Sequence, residues 1–284
     1  MKHLTASETL EATIRSGEVK ASGSFGKLFI LGLLGGAFIA LAAAGSNMAA
    51  FHFLSQPEMV GVGKAVSGLV FAAGLVMVVL AGGELFTGNC LMVTGVIDGR
   101  ISWAGMLRNW IIVYIANFAG SVLVAFLVVN SGLLGTDNGL LGTVTVNIAL
   151  AKSSLPFGRA VILGILCNFL VCIAVWMATA ADSTVGKIFS IFFPIWLFVT
   201  SGYEHSIANM YYIPAGIFAA AGSKPGLSWG SFFIGNLIPV TIGNIIGGAI
   251  FIGCAFYFAL RKGNNHGDSS AAPVENTISQ EHTA

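Results

Sequence analysis

Two short polar runs interrupt the most apolar stretches of this chain, and each run contains a glutamate. The first covers residues 82–89, inside the apolar stretch 62–97, and the second covers residues 201–209, inside the apolar stretch 188–221. A charge at the centre of a membrane span costs at least ~2.5–3.5 kcal/mol. A charged residue at that depth therefore usually has an ion-pair or hydrogen-bond partner, or a functional role. Two interrupted spans, one in each half of a chain, are typical of inverted-repeat transport proteins with a site at the bilayer midplane.

The composition indicates a protein that lies in a lipid bilayer. Hydrophobic residues make up 56% of the chain and charged residues 9%, whereas soluble domains carry about 25% charged residues. The net charge of +1 argues against a nucleic-acid partner. All four cysteines fall in apolar stretches, without the paired Cys or Cys/His spacing of a metal or redox site. We therefore expect no metal and no cofactor.

Six stretches have the ~20 apolar residues that are needed to cross ~30 Å of hydrocarbon. They are residues 28–54, 63–97, 106–129, 158–180, 188–218 and 229–260. Six spans divide into two sets of three, and the two sets run antiparallel because three is odd. The interruption falls in the second span of each set. We predict an all-α membrane protein with six transmembrane helices, an inverted 3+3 repeat, and broken helices 2 and 5.

The chain ends differ from this six-helix domain, which we place at residues 27–262. Residues 1–26 have apolar residues at helical spacing and a capping-box pattern that begins at Thr5, so we predict an amphipathic helix on the membrane surface. Residues 263–284 are polar, without an apolar face, and we predict a disordered cytoplasmic tail. Most of the 13 lysine and arginine residues fall on one side if both termini are cytoplasmic, which favours that orientation.

Few ionisable groups lie deep in the predicted spans. They are Glu84, Glu204 and His205. We interpret the two glutamates as structural residues whose carboxylates accept hydrogen bonds from their own loops, because bare carboxylates would repel an anion. The histidine can hold or pass a proton near neutral pH. Thr87 and Asn209 add neutral hydrogen-bond donors, and the N-termini of the half-helices favour negative charge. This combination suits a small monovalent anion.

The residues around these polar groups allow two interpretations. Large apolar side chains occur at Phe71, Leu75, Leu85, Phe86 and Phe198. They form either an ordinary core or a hydrophobic constriction that removes water from a permeating solute. In the polar stretch 133–156, Lys152 is either a solvated lysine or a cation that concentrates anions at a pore mouth.

Three segments resemble signatures of the formate/nitrite transporter family. They are Gly-Glu-Leu-Phe-Thr-Gly-Asn at 83–89, Ser-Gly-Tyr-Glu-His-Ser-Ile-Ala-Asn-Met at 201–210, and Asn-Leu-Ile-Pro-Val-Thr-Ile-Gly-Asn-Ile-Ile-Gly-Gly at 236–248. The resemblance implies an aquaporin-like fold and a homopentamer in the bacterial cytoplasmic membrane. It also implies a pore in each protomer for small monovalent anions such as formate, nitrite or hydrosulfide. The residues at 149–153 and Tyr203 are similar to those of nitrite channels, whereas 236–248 is more similar to formate channels.

The same resemblance assigns pore-lining roles to positions that match the family. The polar positions are Thr87, Asn168, His205, Asn209 and Asn244, with Lys152 in the vestibule. The constriction positions are Phe71, Phe86 and Phe198 on the outer side, and Leu75 and Leu85 on the inner side. The N-terminal helix resembles the family segment that can cover the inner mouth of the pore.

Several alternatives remain at this stage. A proton-coupled secondary anion transporter would use all of these residues. A neutral-solute channel of the aquaporin type uses paired Asn-Pro-Ala loops, and this chain has no Asn-Pro dipeptide. Residues 226–230 match Gly-x-Ser-x-Gly around Ser228, but that motif of hydrolases requires a strand–turn–helix setting, and we expect a chance match. A purely structural or receptor protein would leave the buried ionisable groups without a purpose.

Overall fold

The computed structural model describes residues 3–261, and all regular secondary structure in that range is helical. Within it, six helices are long and apolar enough to cross a membrane. The prediction of an all-α membrane protein with six spans is therefore confirmed. The predicted tail at 263–284 lies outside the described residues. Along the chain the helices are α1 Ala6–Ala21, α2 Phe25–Leu54, α3 Val60–Ala81, α4 Phe86–Ile97, α5 Trp103–Asn130, α6 Leu140–Ser153, α7 Phe157–Ala180, α8 Thr184–Ser201, α9 Ser206–Ala220 and α10 Ser231–Arg261.

The second and fifth spans are each built from two helices joined by a short loop. Helices α3 and α4 form the second span, and α8 and α9 form the fifth. The first helix of each pair ends at a glycine in the left-handed conformation, Gly82 with φ 85° and Gly202 with φ 74°. Glycine adopts this conformation without the penalty that a Cβ would cause. The amide of the next residue donates back to a carbonyl of the same helix, from Gly83 to Val78 at 2.8 Å and from Tyr203 to Phe198 at 3.1 Å. Helices α3 and α8 therefore end with the same C-terminal capping geometry.

Close helix contacts depend on glycines that also occur in matching places. A Cβ on Gly120 of α5 would collide with the carbonyl of Leu33 in α2, and a Cβ on Gly247 of α10 would collide with the carbonyl of Ile165 in α7. Small residues allow transmembrane helices to approach until their backbones touch. The first and third spans therefore cross in the same way as the fourth and sixth spans.

Helix α1 covers one end of the helix bundle, which we call the α1 side; the opposite end is the far side. We predicted that this helix lies on the membrane surface, but its apolar face packs against the protein. Leu10 and Ile14 are 3% and 0% exposed and contact Trp176. The Trp176 ring stacks on Phe256 of α10 at 4.4 Å. The predicted capping box is present at the N-terminus of α1. The apolar stripe is thus covered by aromatic residues of the helix bundle.

Ion pairs fix the polar face of α1 to the turn that follows α4. Arg100 donates two hydrogen bonds to the carboxylate of Glu11, at 2.7 and 2.8 Å. These bonds lower the pKa of Glu11 from 4.5 to about 2. Asp98, in the same turn, pairs with Arg100 and with Arg261 at the end of α10. Three elements of the α1 side are therefore joined through one charged cluster.

Candidate functional site

The loop between α3 and α4 is held by a buried polar cluster around Glu84. Lys20, at the end of α1, lies 2.8 Å from both carboxylate oxygens. Asn89 donates from Nδ2 to the same carboxylate at 2.7 Å and to Asn109 Oδ1 at 2.8 Å. Asn109 then donates to the main-chain carbonyl of Lys20 at 3.1 Å. The ammonium and the amide groups satisfy the carboxylate, so the charge is tolerated at membrane depth.

The loop between α8 and α9 carries the same cluster around Glu204. Lys152, at the end of α6, lies 2.8 Å from the carboxylate. Asn209 donates from Nδ2 to Glu204 and to Asn236 Oδ1, both at 2.7 Å, and Asn236 donates to the carbonyl of Lys152 at 2.9 Å. The contacts of α6 thus correspond to those of α1. An inverted repeat predicts such matching contacts, and here they include α1 as well as the three spans that follow it.

An asparagine from the third span holds the main chain of the first loop. Asn117 donates from Nδ2 to the carbonyls of Gly32 and Glu84, at 2.7 and 2.9 Å. Its Oδ1 accepts the amide of Phe86, the first residue of α4, at 3.0 Å. Interrupting a helix leaves main-chain groups without helical partners, and burying them unpaired is costly. This side chain removes that cost at the first break.

Asn244 in α10 performs the same task at the second loop. Its Nδ2 donates to the carbonyls of Gly164 and Glu204, at 2.8 and 3.0 Å, and its Oδ1 accepts the amide of Ser206 at 2.9 Å. Both ends of the side-chain amide are engaged with main-chain groups. The resemblance assigned this asparagine to the pore, whereas the structure places its amide on the backbone of the broken helix.

The contacts of the glutamates and of Lys152 differ from our sequence-based interpretation. We expected the carboxylates to accept hydrogen bonds from their own loops, but they accept from lysine and asparagine side chains. The amides of Glu84 and Glu204 themselves donate to the carbonyls of Leu31 and Leu163, at 3.0 and 3.2 Å. Lys152 is not a solvated lysine of a polar stretch. It lies in the last turn of helix α6, its side chain is 18% exposed, and it pairs with Glu204.

His205 and Thr87 connect the two interrupted spans at the centre of the protein. The imidazole Nδ1 caps α9 by accepting the amide of Ala208 at 3.0 Å. A nitrogen that accepts a hydrogen bond carries no proton, so the neutral ring carries its proton on Nε2. Nε2 lies 2.9 Å from the hydroxyl of Thr87 and donates to it. The hydroxyl hydrogen of Thr87 remains free to be donated to a third group.

The two halves of the chain differ at the positions that form this polar pair. Leu85 precedes α4 in the same extended conformation in which His205 precedes α9. Ile207 takes the position in α9 that Thr87 takes in α4. Each half therefore contributes one polar and one apolar side chain at these positions, and a single histidine–threonine bond results.

Asn168 positions the main chain of Thr87. Its Nδ2 donates to the carbonyls of Thr87 and Asn244, at 3.1 and 2.7 Å. The thiol of Cys172 donates to the same threonine carbonyl at 3.3 Å. Asn168 is fully buried, and its Oδ1 has no hydrogen-bond partner among residues 3–261. These contacts fix the first turn of α4 and hence the direction of the threonine hydroxyl.

A chamber of about 380 Å³ leads from the far side toward this pair. Phe71 and Phe198 meet edge to face at 5.7 Å between ring centres, and Phe198 also lies against the His205 imidazole at 5.9 Å. The aromatic pair therefore adjoins the polar centre. The polar side chains that line the chamber include Asn47, Lys64, Lys152, Tyr203, Asn209 and Tyr212.

The remaining predicted constriction residues are buried away from that chamber. Phe86 packs its ring against Tyr114 and Trp110, at 4.8 and 5.8 Å, and does not line the chamber. Leu75 and Leu85 are 2% and 3% exposed within the main core. On the α1 side, a cavity of only about 40 Å³ reaches Lys20 and Asn89 beneath α1. The far-side chamber is therefore much larger than the cavity beneath α1.

The Gly-x-Ser-x-Gly match has no catalytic surroundings. Ser228 lies in an exposed turn, and its hydroxyl exchanges hydrogen bonds with Ser231 alone among residues 3–261. A serine hydrolase needs a general base next to the nucleophile. The motif is a chance match.

Comparison with known proteins decides the family. The sequence profile described as "Formate/nitrite transporter" matches residues 7–258. The chain belongs to the formate/nitrite transporter family. It is 41% identical over 269 residues to the probable formate transporter of Methanothermobacter thermautotrophicus, covering 90% of this chain and 96% of that protein. It is also 41% identical over 243 residues to the formate channel FocA of Haemophilus influenzae, covering 79% and 84% of the two chains.

A solved structure supports the same assignment for the fold of this formate/nitrite transporter. A pentameric formate channel with formate bound matches with a TM-score of 0.73 and 34% identity, covering 83% of this chain and 97% of that one. The family resemblance inferred from three motifs is confirmed, and the protein is a transport protein of the membrane rather than an enzyme.

Sequence reasoning missed part of this site. The missed residues are Lys20, Asn47, Lys64, Asn89, Asn109, Asn117 and Asn236. A usable signal was present, because Asn89 follows Glu84 at the same spacing of 5 as Asn209 follows Glu204. A glutamate–asparagine pair that recurs in two interrupted spans indicates, by its spacing alone, that both loops carry the same cluster.

Proposed function

We propose that this protein conducts small monovalent weak-acid anions through a pore in each protomer of a homopentamer. Formate is the first candidate substrate, because the similar proteins named above are formate transporters or channels. Nitrite and hydrosulfide are the next candidates. We place the protein in the bacterial cytoplasmic membrane with the α1 side toward the cytoplasm, as the lysine and arginine distribution favours.

The hydrogen bond between Thr87 and His205 carries this proposal. It lies at the junction of the two interrupted spans, and both side chains are almost completely buried, at 0% and 3% exposure. An anion that leaves the far-side chamber loses water at the Phe71–Phe198 pair, and bare charge in an apolar setting is costly. The free hydroxyl hydrogen of Thr87 replaces one lost hydrogen bond. Hydrogen bonds to charged groups contribute about 1.5–3 kcal/mol.

The cap that His205 forms on α9 supports a role of the ring as a neutral hydrogen-bond donor rather than as a proton acceptor. Protonation of the neutral ring requires the Nδ1 lone pair, and that lone pair accepts the Ala208 amide. Taking up a proton therefore breaks the helix cap. The ring polarises the Thr87 hydroxyl through Nε2 while remaining neutral. This arrangement favours passive permeation over proton-coupled transport.

Anion flux into proteoliposomes tests the proposal. We expect Thr87→Val to lower formate flux by about tenfold to a hundredfold, which corresponds to one lost hydrogen bond to an anion. His205→Asn should lower it similarly. Thr94→Val is the matched control, because Thr94 is equally buried in α4 but bonds to the carbonyl of Leu91 within the helix. Wild-type flux in Thr87→Val would remove the polar pair from the mechanism.

Two further measurements define the transport class and the substrate. Passive anion current with no dependence on a pH gradient indicates a channel, whereas uphill accumulation driven by a pH gradient indicates proton coupling. Formate, nitrite and hydrosulfide should be compared in the same vesicles at two pH values. If none of the three crosses the membrane of vesicles that contain folded wild-type protein, the proposed function is wrong.

A further inference from the structure

Two asparagines fix the register between the two halves of the chain. Asn117 and Asn244 are counterparts, because each donates from Nδ2 to the glutamate carbonyl of its loop and to a carbonyl of a neighbouring helix. The helix carbonyls belong to Gly32 in α2 and to Gly164 in α7. Residues one helical turn further along each of these four helices therefore correspond as well.

At those corresponding positions the two halves carry the polar residue on different helices. In the first half α2 has Gly36 and α5 has Ser121, whose hydroxyl donates to the Gly36 carbonyl at 3.0 Å. In the second half α7 has the polar residue, Asn168, and α10 has the glycine, Gly248. Since Gly36 has no side chain, only the second half supplies an amide from this position. That amide donates to the Thr87 carbonyl at 3.1 Å.

Gly248 leaves the space in which the side chains that hold Thr87 lie. A Cβ on Gly248 would stand 2.4 Å from Asn168 Nδ2, 2.7 Å from Cys172 Sγ and 2.9 Å from Cys90 Cβ, and real Cβ atoms essentially never come so close. The first two of these atoms donate to the Thr87 carbonyl, at 3.1 and 3.3 Å. Both are the ends of side chains, which can rotate away. A methyl group at this position would therefore displace the donors to Thr87.

We propose that Gly248 is a positioning residue for permeation, because its missing side chain lets Asn168 and Cys172 hold the main chain of Thr87. The inference rests on the proposed function, and it adds a residue of α10 that does not line the far-side chamber. The Thr87 hydroxyl accepts from His205 Nε2, so one hydrogen remains for the anion, and its direction follows the main chain of α4. Hydrogen bonds weaken steeply when they are misaligned. Gly248 thus acts on the anion through the orientation of that hydroxyl.

Concentration-dependent formate flux in proteoliposomes tests the inference in the intact protein. We expect Gly248→Ala to lower the maximal rate about threefold to tenfold, the effect of one neutral hydrogen bond. The apparent KM should stay close to the wild-type value, because the anion meets the hydroxyl only after it has left the chamber. A loss of packing alone would reduce the amount of folded protein and not this ratio of rate to KM.

Gly253→Ala is the matched control in the same helix. A Cβ on Gly253 would also stand 2.4 Å from the end of a side chain, Cγ1 of Val93, which is apolar and gives no hydrogen bond to Thr87. The substitution therefore strains α10 to a similar degree without displacing a donor to the threonine. We expect a lower Tm in both variants and a wild-type maximal rate, per amount of folded protein, in Gly253→Ala.

A double-mutant cycle with Asn168 shows whether Gly248 acts through the amide. Asn168→Ala alone should lower the maximal rate, and Asn168→Ala/Gly248→Ala should lower it no further, because both substitutions remove the same support of Thr87. Losses that multiply in the double variant would show independent action and would overturn the inference. So would a Gly248→Ala protein that does not elute as a single folded species, or one that loses no more flux than Gly253→Ala, since Gly248 would then serve helix packing alone. Absence of flux in the wild type would instead reject the proposed function itself.

Discussion

Lys20 and Lys152 lie at the same distance, 2.8 Å, from Glu84 and Glu204, although one lysine is in the last turn of the N-terminal helix and the other is in the last turn of α6. Their main-chain carbonyls also accept the same hydrogen bond, from Asn109 and from Asn236. Helix α1 is therefore a structural counterpart of α6 and belongs to the repeated unit. Removal of α1 would therefore take away Lys20, the ion-pair partner of the buried Glu84 carboxylate, and would also uncover the α1 side of the bundle.

The Lys20–Glu84 pair should show strong coupling in a double-mutant cycle. Lys20→Met leaves a carboxylate that is 11% exposed without its cation. Breaking a buried pair in this way costs about 3–5 kcal/mol. The double variant Lys20→Met/Glu84→Gln leaves no unpaired charge, so we expect its Tm in detergent to lie well above that of Lys20→Met alone. A double variant no more stable than the single one would show that the pair is not a unit.

Asn117→Leu should destabilise the protein more than its loss of size suggests. The substitution leaves the Glu84 carbonyl and the Phe86 amide without their partner at membrane depth, and it removes a second hydrogen bond to the helical carbonyl of Gly32. At about 1–3 kcal/mol for each unsatisfied group, the Tm should fall by many degrees. Asn130→Leu is the control, because its amide bonds to a carbonyl at an exposed helix end. Equal Tm changes in the two variants would contradict the role that we assign to Asn117.

Close backbone contact predicts opposite effects for two glycine substitutions. In Gly120→Ala, the new methyl group collides with the carbonyl of Leu33, and we expect a lower Tm. In Gly158→Ala, the methyl group meets no atom within 4 Å, and the change favours the helix by up to ~1 kcal/mol. Thermal unfolding followed by fluorescence-detected chromatography separates the two. A Gly120→Ala variant as stable as Gly158→Ala would disprove the close crossing of α2 and α5.

The contact of α1 with its neighbouring turn should weaken in acid. The pKa of Glu11 is lowered from 4.5 to about 2 by its hydrogen bonds to Arg100. A lowered pKa means that the stabilisation is fully present above pH 4.5 and is lost as the pH falls toward 2. Hydrogen exchange of the α1 amides, corrected for the intrinsic rate, should therefore be constant from pH 7 to 5 and faster at pH 3.

Two glutamate-to-glutamine variants, each of which removes one negative charge and keeps the side-chain size, test that assignment. Glu11→Gln should make exchange in α1 faster at neutral pH and remove its dependence between pH 5 and 3. Glu58→Gln, on the far side, should behave as the wild type. Acid-dependent exchange that persists unchanged in Glu11→Gln would assign the effect to another group.

The spans and their interruptions could be predicted because they depend on local composition. Apolar length identified all six spans, and glycines beside Glu84 and Glu204 marked the places where α3 and α8 end. The partners of these carboxylates could not be predicted in the same way. Lys20 lies far from Glu84 in the sequence and meets it only because α1 folds back over the bundle. The partners of the apolar stripe of α1 could not be predicted for the same reason, since hydropathy does not tell whether lipid or protein covers such a stripe.

The asparagines show a second limit. The amide of Asn244 and the ring of Phe86 occupy motif positions, yet the amide contacts backbone and the ring packs against Tyr114. Sequence similarity identifies a position without giving the direction of its side chain.

The contrast between Leu85 and His205, and between Thr87 and Ile207, bears on how such a protein can diversify. None of these four side chains belongs to the clusters that satisfy the buried glutamates or to the amides that hold the broken main chain. Substitutions at Leu85, Thr87 and Ile207 alter what the permeating solute meets and leave those supports intact, whereas a substitution at His205 also removes the side-chain cap of α9. A duplicated architecture of this kind can acquire a new selectivity through one or two codon changes, without first losing the ability to fold.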